Sequence, residues 1–169
     1  VTPRAFGGLI ALAVFFADQA LKAAVLMRLG EAAQRSTPLA PFLDLTLRWN
    51  RGISFSLFAQ GSAAGRIILL GLILLAIALL GWWLSNSRSI TAASGLGAII
   101  GGALGNLSDR VVHGAVIDFL DLHALGRHFF VFNLADAAIN VGVALLVIDL
   151  TFGSRPGDGK QPAPRPRAK

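Results

Sequence analysis

The stretch FNLADAAIN, residues 132 to 140, sets an aspartate at the head of an apolar run. Asp136 and Asn140 are the polar side chains between Leu134 and Ile148. A carboxylate in that place either caps a helix or takes part in chemistry. With Asn133 as N-cap, Asp136 falls at the third helical position, a variant of the capping box. The helix dipole favours an acid there. An ionisable group within an apolar segment is equally a functional candidate, and the two roles are compatible.

Other acids are weighed against it in turn. GNLSDR (105–110) repeats the Asn-Leu-x-Asp spacing but closes an apolar segment, so capping does not explain Asp109. A local ion pair with the adjoining Arg110 is the simpler expectation, with catalysis the alternative. Asn106 ties loop backbone or binds substrate backbone. In AVIDFLDLH (115–123) strand alternation puts Val116, Asp118 and Leu120 on one face and Ile117, Phe119 and Asp121 on the other. Apolar neighbours would partly desolvate Asp118 and raise its pKa, whereas Asp121 better fits a water-facing edge. Asp18 and Lys22 stand one helical turn apart and read as a side-by-side ion pair. Asp149 lies about 20 Å along a helix from Asp136, at the opposite end.

The elements that carry these residues are membrane spans. Of 169 residues 54% are hydrophobic and 14% charged, against a charged share of about 25% in soluble domains. Four segments reach the roughly 20 apolar residues that a spanning helix needs: Phe6–Met27, Ala63–Leu84, Ile90–Leu107 and Leu134–Phe152. The first is too long and too charged for a cleaved signal peptide. Trp82 and Trp83 suit a membrane–water boundary. Gly97, Gly101 and Gly105 recur at four-residue spacing, one helix face that permits close backbone packing. The sequence contains no cysteine, so thiol chemistry is excluded. His113, His123 and His128 lack paired zinc-ligand spacing, so no metal or cofactor is expected. The net charge of +6 is concentrated toward the C-terminus and reads as an orientation signal, not a nucleic-acid footprint.

Two connections have strand character, about 39–58 and 115–132. The expected architecture is therefore membrane α-helical: four transmembrane helices with a small extracytoplasmic β-sheet layer. Residues 1–153 form this membrane domain, and 154–169 form a basic, disordered cytoplasmic tail. An even number of spans puts both termini on one side, with Arg4, Arg88 and the tail arginines marking it as cytoplasmic. Asp109, Asp118 and Asp136 then converge on the outer surface. Two close carboxylates share a proton. Such a dyad can hydrolyse an amide, the ionised member taking a proton from water while the protonated one hydrogen-bonds the carbonyl. Spacing alone does not say which two acids pair. A proton-coupled carrier would instead set its acids near the membrane midplane. A scaffold of glycine-faced helices would leave the outer acids without a role.

The motifs DQALK (18–22), NRGISF (50–55), GGALGNLSDR (101–110), VIDF (116–119) and FNLADAAI (132–139) together resemble the lipoprotein signal peptidases, also called signal peptidase II. The resemblance covers about residues 9–150. It implies a bacterial inner-membrane aspartyl endopeptidase that removes the signal peptide of prolipoproteins before a diacylglyceryl-modified cysteine. It implies Asp118 and Asp136 as the catalytic pair. Asn50, Gly52, Asn106, Asp109, Arg110, Asn133, Asp18 and Lys22 become substrate-binding or supporting residues. The implied partners are prolipoprotein substrates and membrane lipid, with globomycin-type inhibition. Arg51, Ile53 and Ser54 depart from the smaller residues common inside the second motif, which bears on loop packing or substrate preference.

Overall fold

The computed structural model describes residues 1–30, 36–52 and 63–152. Four helices are long and apolar enough to cross a membrane: α1 (Pro3–Leu29), α2 (Ala63–Asn86), α3 (Ile90–Val112) and α4 (Leu134–Phe152). Strands β1 (Thr37–Ala40) and β2 (Leu43–Asn50) lie between α1 and α2, and β3 (Val116–Ala124) and β4 (Arg127–Phe132) between α3 and α4. The expected fold class holds. The tail at 154–169 and residues 53–58 of the first β region lie outside the described residues.

Local chemistry sets the helix starts. Thr2 caps α1, accepting from the Ala5 amide, with Pro3 as the first helical residue. Proline is favoured there because its missing N–H would have had no partner. Ser89 caps α3 through the Ala92 amide and also hydrogen-bonds Asp149 near the end of α4. Asp149 thus sits with the helix ends remote from the sheet, as its distance from Asp136 requires.

The third helix is central. It runs five residues past the expected end at Leu107, so Asn106, Asp109 and Arg110 belong to its last turns. Its two small-residue faces meet different partners. A Cβ added at Gly101 would come 2.5 Å from the Ala11 carbonyl oxygen of α1, and Gly97 meets Gly7 in the same way. A Cβ at Gly102 would come 2.5 Å from the Ala135 oxygen, and one at Gly95 2.7 Å from the Gly142 oxygen, both in α4. These glycines are filled by backbone, which is how helices associate where lipid removes the hydrophobic drive. Helix α2 buries little and presents Ile67, Leu72, Leu79 and Trp82 outward, an apolar surface suited to lipid.

Gly101→Ala is expected to lower the thermal midpoint in detergent by several degrees, since overpacking costs about 1–3 kcal/mol. Gly8→Ala, whose added methyl meets nothing within 4 Å, should leave the midpoint unchanged or raise it. Equal midpoints for the two variants would contradict this packing account.

The sheet is antiparallel in the order β1-β2-β3-β4. Its last hairpin turns through Leu125 and Gly126, both at positive φ, as a two-residue type I′ turn requires. Val25 of α1 packs with Leu47, Ile117 and Phe119, so the sheet rests on the end of the first helix. Arg66 of α2 donates to the Arg110 and Val111 carbonyls and satisfies the end of α3.

Candidate active site

The end of α3, the start of α4 and the start of β3 meet at one end of the bundle. Asn133 is the hub. Its side-chain oxygen accepts from the Asp136 amide at 2.9 Å, and its own amide donates to Asp136 Oδ2 at 3.3 Å. That is the reciprocal capping box anticipated for this position. The Asn133 Nδ2 faces the other way and donates to Asp118 Oδ1 at 2.7 Å, Asn106 Oδ1 at 3.1 Å and the Ile117 carbonyl at 3.3 Å. One fully buried asparagine therefore ties Asp118 to Asp136.

Each carboxylate has a second donor. Asn106 Nδ2 donates to Asp136 Oδ1 at 2.8 Å. Asn50 Nδ2 donates to Asp118 Oδ2 at 2.9 Å. The Asn50 oxygen in turn accepts from the Gly52 amide at 2.9 Å, and Gly52 sits at φ +93, a region that favours glycine. Asp118 is buried and Asp136 half-buried. Burial pushes the Asp118 carboxyl up to about 6, helped by the charge of Asp136 and opposed by Asn50, Asn133 and Lys22.

Behind these groups lies a buried triad. Lys22 Nζ is 2.7 Å from Asp18 and 2.8 Å from Asp109. The i,i+4 pair with Asp18 was legible in the sequence. Asp109, however, bonds Lys22 where a local pair with Arg110 was expected. Arg110 instead donates to the Asn106 carbonyl of its own helix at 3.1 Å. The reason is position: Asp109 and Lys22 are both turned into the bundle, while Arg110 is half-buried beside it. Asp18 Oδ1 accepts the Ala135 amide at 3.0 Å and Asp109 Oδ2 the Ile117 amide at 3.1 Å. Each anchored amide is one residue from Asp136 or Asp118.

Gln19 was not singled out beforehand, yet it donates to Asp109 Oδ1 at 3.1 Å and to the Gly105 carbonyl at 3.3 Å. Its place beside Asp18 in the DQALK motif was its signal. Asp121, expected at a water-facing edge, is 5% exposed and lies 2.8 Å from His128 Nδ1. It sits away from Asp136, its neighbouring strand covering what alternation alone left open. Among the described residues no group of three or more acids and histidines is placed to hold a metal ion. An open cleft of about 370 Å³ adjoins Asp136, lined by Phe130, Phe132, Ala137, Ile139 and Asn140.

Comparisons with known proteins find relatives over most of the chain. The family model described as signal peptidase (SPase) II matches residues 10–152. A lipoprotein signal peptidase of Methylobacterium sp. (strain 4-46) is 43% identical over 156 residues, covering 92% of this chain and 94% of the relative. One from Beijerinckia indica is 48% identical over 149 residues, 88% of this chain and 89% of the relative. A solved bacterial membrane enzyme superposes with a TM-score of 0.70 at 28% identity, over 92% of this chain and 93% of that one.

Proposed function

Since this chain belongs to the signal peptidase II family, we propose that it removes prolipoprotein signal peptides as an aspartic endopeptidase, with Asp118 and Asp136 as the dyad. The observation that carries this reading is the Asn133 hub, which bonds both carboxylates at once. Asp118, the more deeply buried, holds the shared proton. Asp136, the half-buried partner, is the base.

In the proposed reaction Asp136 takes a proton from water, whose oxygen bonds to the scissile carbonyl carbon. The Asp118 proton moves to the carbonyl oxygen as charge develops. The tetrahedral species then collapses: the C–N bond breaks, Asp136 gives its proton to the departing amine, and the carbonyl-derived proton returns to Asp118. One water is consumed. A new carboxyl terminus and the free amine of the lipid-bearing cysteine are released, with no covalent intermediate.

The substrate proposed is a prolipoprotein carrying diacylglyceryl-cysteine, held at the outer face of the bacterial inner membrane with both termini of the enzyme cytoplasmic. A lipid anchor would bring the scissile bond to the membrane end where the helices and sheet meet. The acyl chains would supply apolar binding, for which the cleft beside Asp136 is suited. Arg110, Asn50 and Gly52 border the same end and are proposed to position substrate backbone. Globomycin-type peptides are expected to compete for it.

The test is cleavage by detergent-purified protein of a diacylglyceryl-modified prolipoprotein and of its unlipidated form. Turnover of the first and at least tenfold slower turnover of the second is expected. Absence of cleavage under conditions that support a known relative would refute the reading.

The pH dependence has a definite sign. The free enzyme needs the Asp118 proton, so kcat/KM should fall about tenfold per unit as pH rises above about 6. Substrate burial adds desolvation, so the corresponding limb in kcat should lie at higher pH. Initial rates from pH 5 to 9 measure both. A kcat/KM that climbs through this range would contradict a mechanism that needs a protonated carboxyl.

A further inference from the structure

Lys22 is 2% exposed and lies behind the dyad. Its described partners are Asp18, Asp109 and the side-chain oxygen of Asn106, the last at 3.2 Å. An ammonium donates and never accepts, so it admits only the oxygen end of an amide. The opposite end of the same amide is the Nδ2 that donates to Asp136. Asn133 Nδ2 points at the same Asn106 oxygen. The Asn133 amide is itself fixed, since Asp118 accepts from its nitrogen and the Asp136 amide donates to its oxygen. Reversing Asn106 would set its NH2 group against an ammonium and its carbonyl against a carboxylate.

We propose that Lys22 is a positioning residue: it fixes the sense of the Asn106 amide, so that an N–H and not a carbonyl faces Asp136 and favours its ionised form. This rests on the reading of Asp136 as the base. The ammonium acts by holding and polarising the amide that donates to Asp136. The arrangement also explains why an expensive buried cation stands within a bundle whose packing is otherwise met by glycine and aliphatic contacts. The groups facing this pair are Asp18 and Gln19 from α1, Asn106, Asp109 and Arg110 from α3, Asp118 from β3, and Asn133 before α4.

The test uses Lys22→Met combined with Asp18→Asn. The pair of changes removes one positive and one negative charge, and leaves an oxygen at position 18 for the Ala135 amide. For full-length protein cleaving a diacylglyceryl-modified prolipoprotein, kcat should fall about 10- to 100-fold, a share of what acid–base catalysis supplies. KM should be unchanged. The acidic limb of the kcat profile, which reports ionisation of the base, should move to higher pH because a donor to the carboxylate is weakened. Asn106→Ala removes that donor with Lys22 in place and should move the same limb the same way, which serves if the double variant does not fold. A folded double variant with the wild-type limb, or an Asn106→Ala enzyme with an unmoved limb, overturns the proposal. A loss confined to KM does so too. If the wild type itself cleaves nothing, the peptidase reading has failed and the role of Lys22 with it; if the wild type cleaves and the limbs stay put, the Lys22 role alone has failed.

Discussion

Asp136→Asn should abolish signal-peptide removal, with turnover at least about a thousandfold below wild type while the protein remains folded. Asparagine keeps the size of the side chain. The Asp136 backbone amide still donates to Asn133, so the helix start is retained. What disappears is the group proposed to accept a proton from water. Asp118→Asn should cost as much, because an amide neither carries the shared proton nor returns it. The double variant should be no slower than either single one, since the two carboxylates are proposed to act in a single step, where losses do not add. Turnover of purified variants on a lipid-modified prolipoprotein measures this. An Asp118→Asn enzyme that still cleaves would move the pairing to Asp136 and Asp109. Thermal unfolding supplies the control. A carboxyl held at about 6 in the folded state, above its ordinary 3.8, contributes stability that is present below the lower value and lost as pH rises through the higher one. The midpoint of Asp118→Asn relative to wild type should therefore rise between pH 5 and pH 8.

The sequence disclosed what is local. Asn133 and Asp136, three residues apart before an apolar run, specify a capping box without any tertiary information. Asp18 and Lys22 are neighbours on any helix. The glycine spacing named a face, and Gly97 and Gly101 do pack on α1. Which acid meets Lys22 was hidden, since Asp109 is 87 residues away and nothing in periodicity ranks distant partners over the adjoining Arg110. Asp121 failed for a related reason. Alternation gives a strand two faces, but whether either is covered depends on β4 and His128. Gln19 stood in the DQALK motif with no role of its own assigned to it. Its amide matters because α3 passes beside it.

Lys22→Met alone should be severely destabilising, by about 3–5 kcal/mol. The side chain is isosteric enough to leave little cavity, so the loss is electrostatic. Asp18 and Asp109 are both buried, and Lys22 is within 2.8 Å of each. Removing it leaves two carboxylates without the charge that compensates their desolvation. Gln19 offers hydrogen bonds to both but no charge. The damage should reach the dyad, because these same acids hold the Ala135 and Ile117 amides that set the start of α4 and the line of β3. Unfolding in detergent should show a midpoint lowered by well over ten degrees or a protein that does not accumulate. Asp18→Asn added to Lys22→Met should recover much of that loss by removing one uncompensated charge while keeping the acceptor for Ala135. A single variant as stable as wild type would mean that the acids are not held by Lys22. The partial recovery is the stronger discriminator: if Lys22 served only to fill space, neutralising Asp18 could not restore what methionine had taken away.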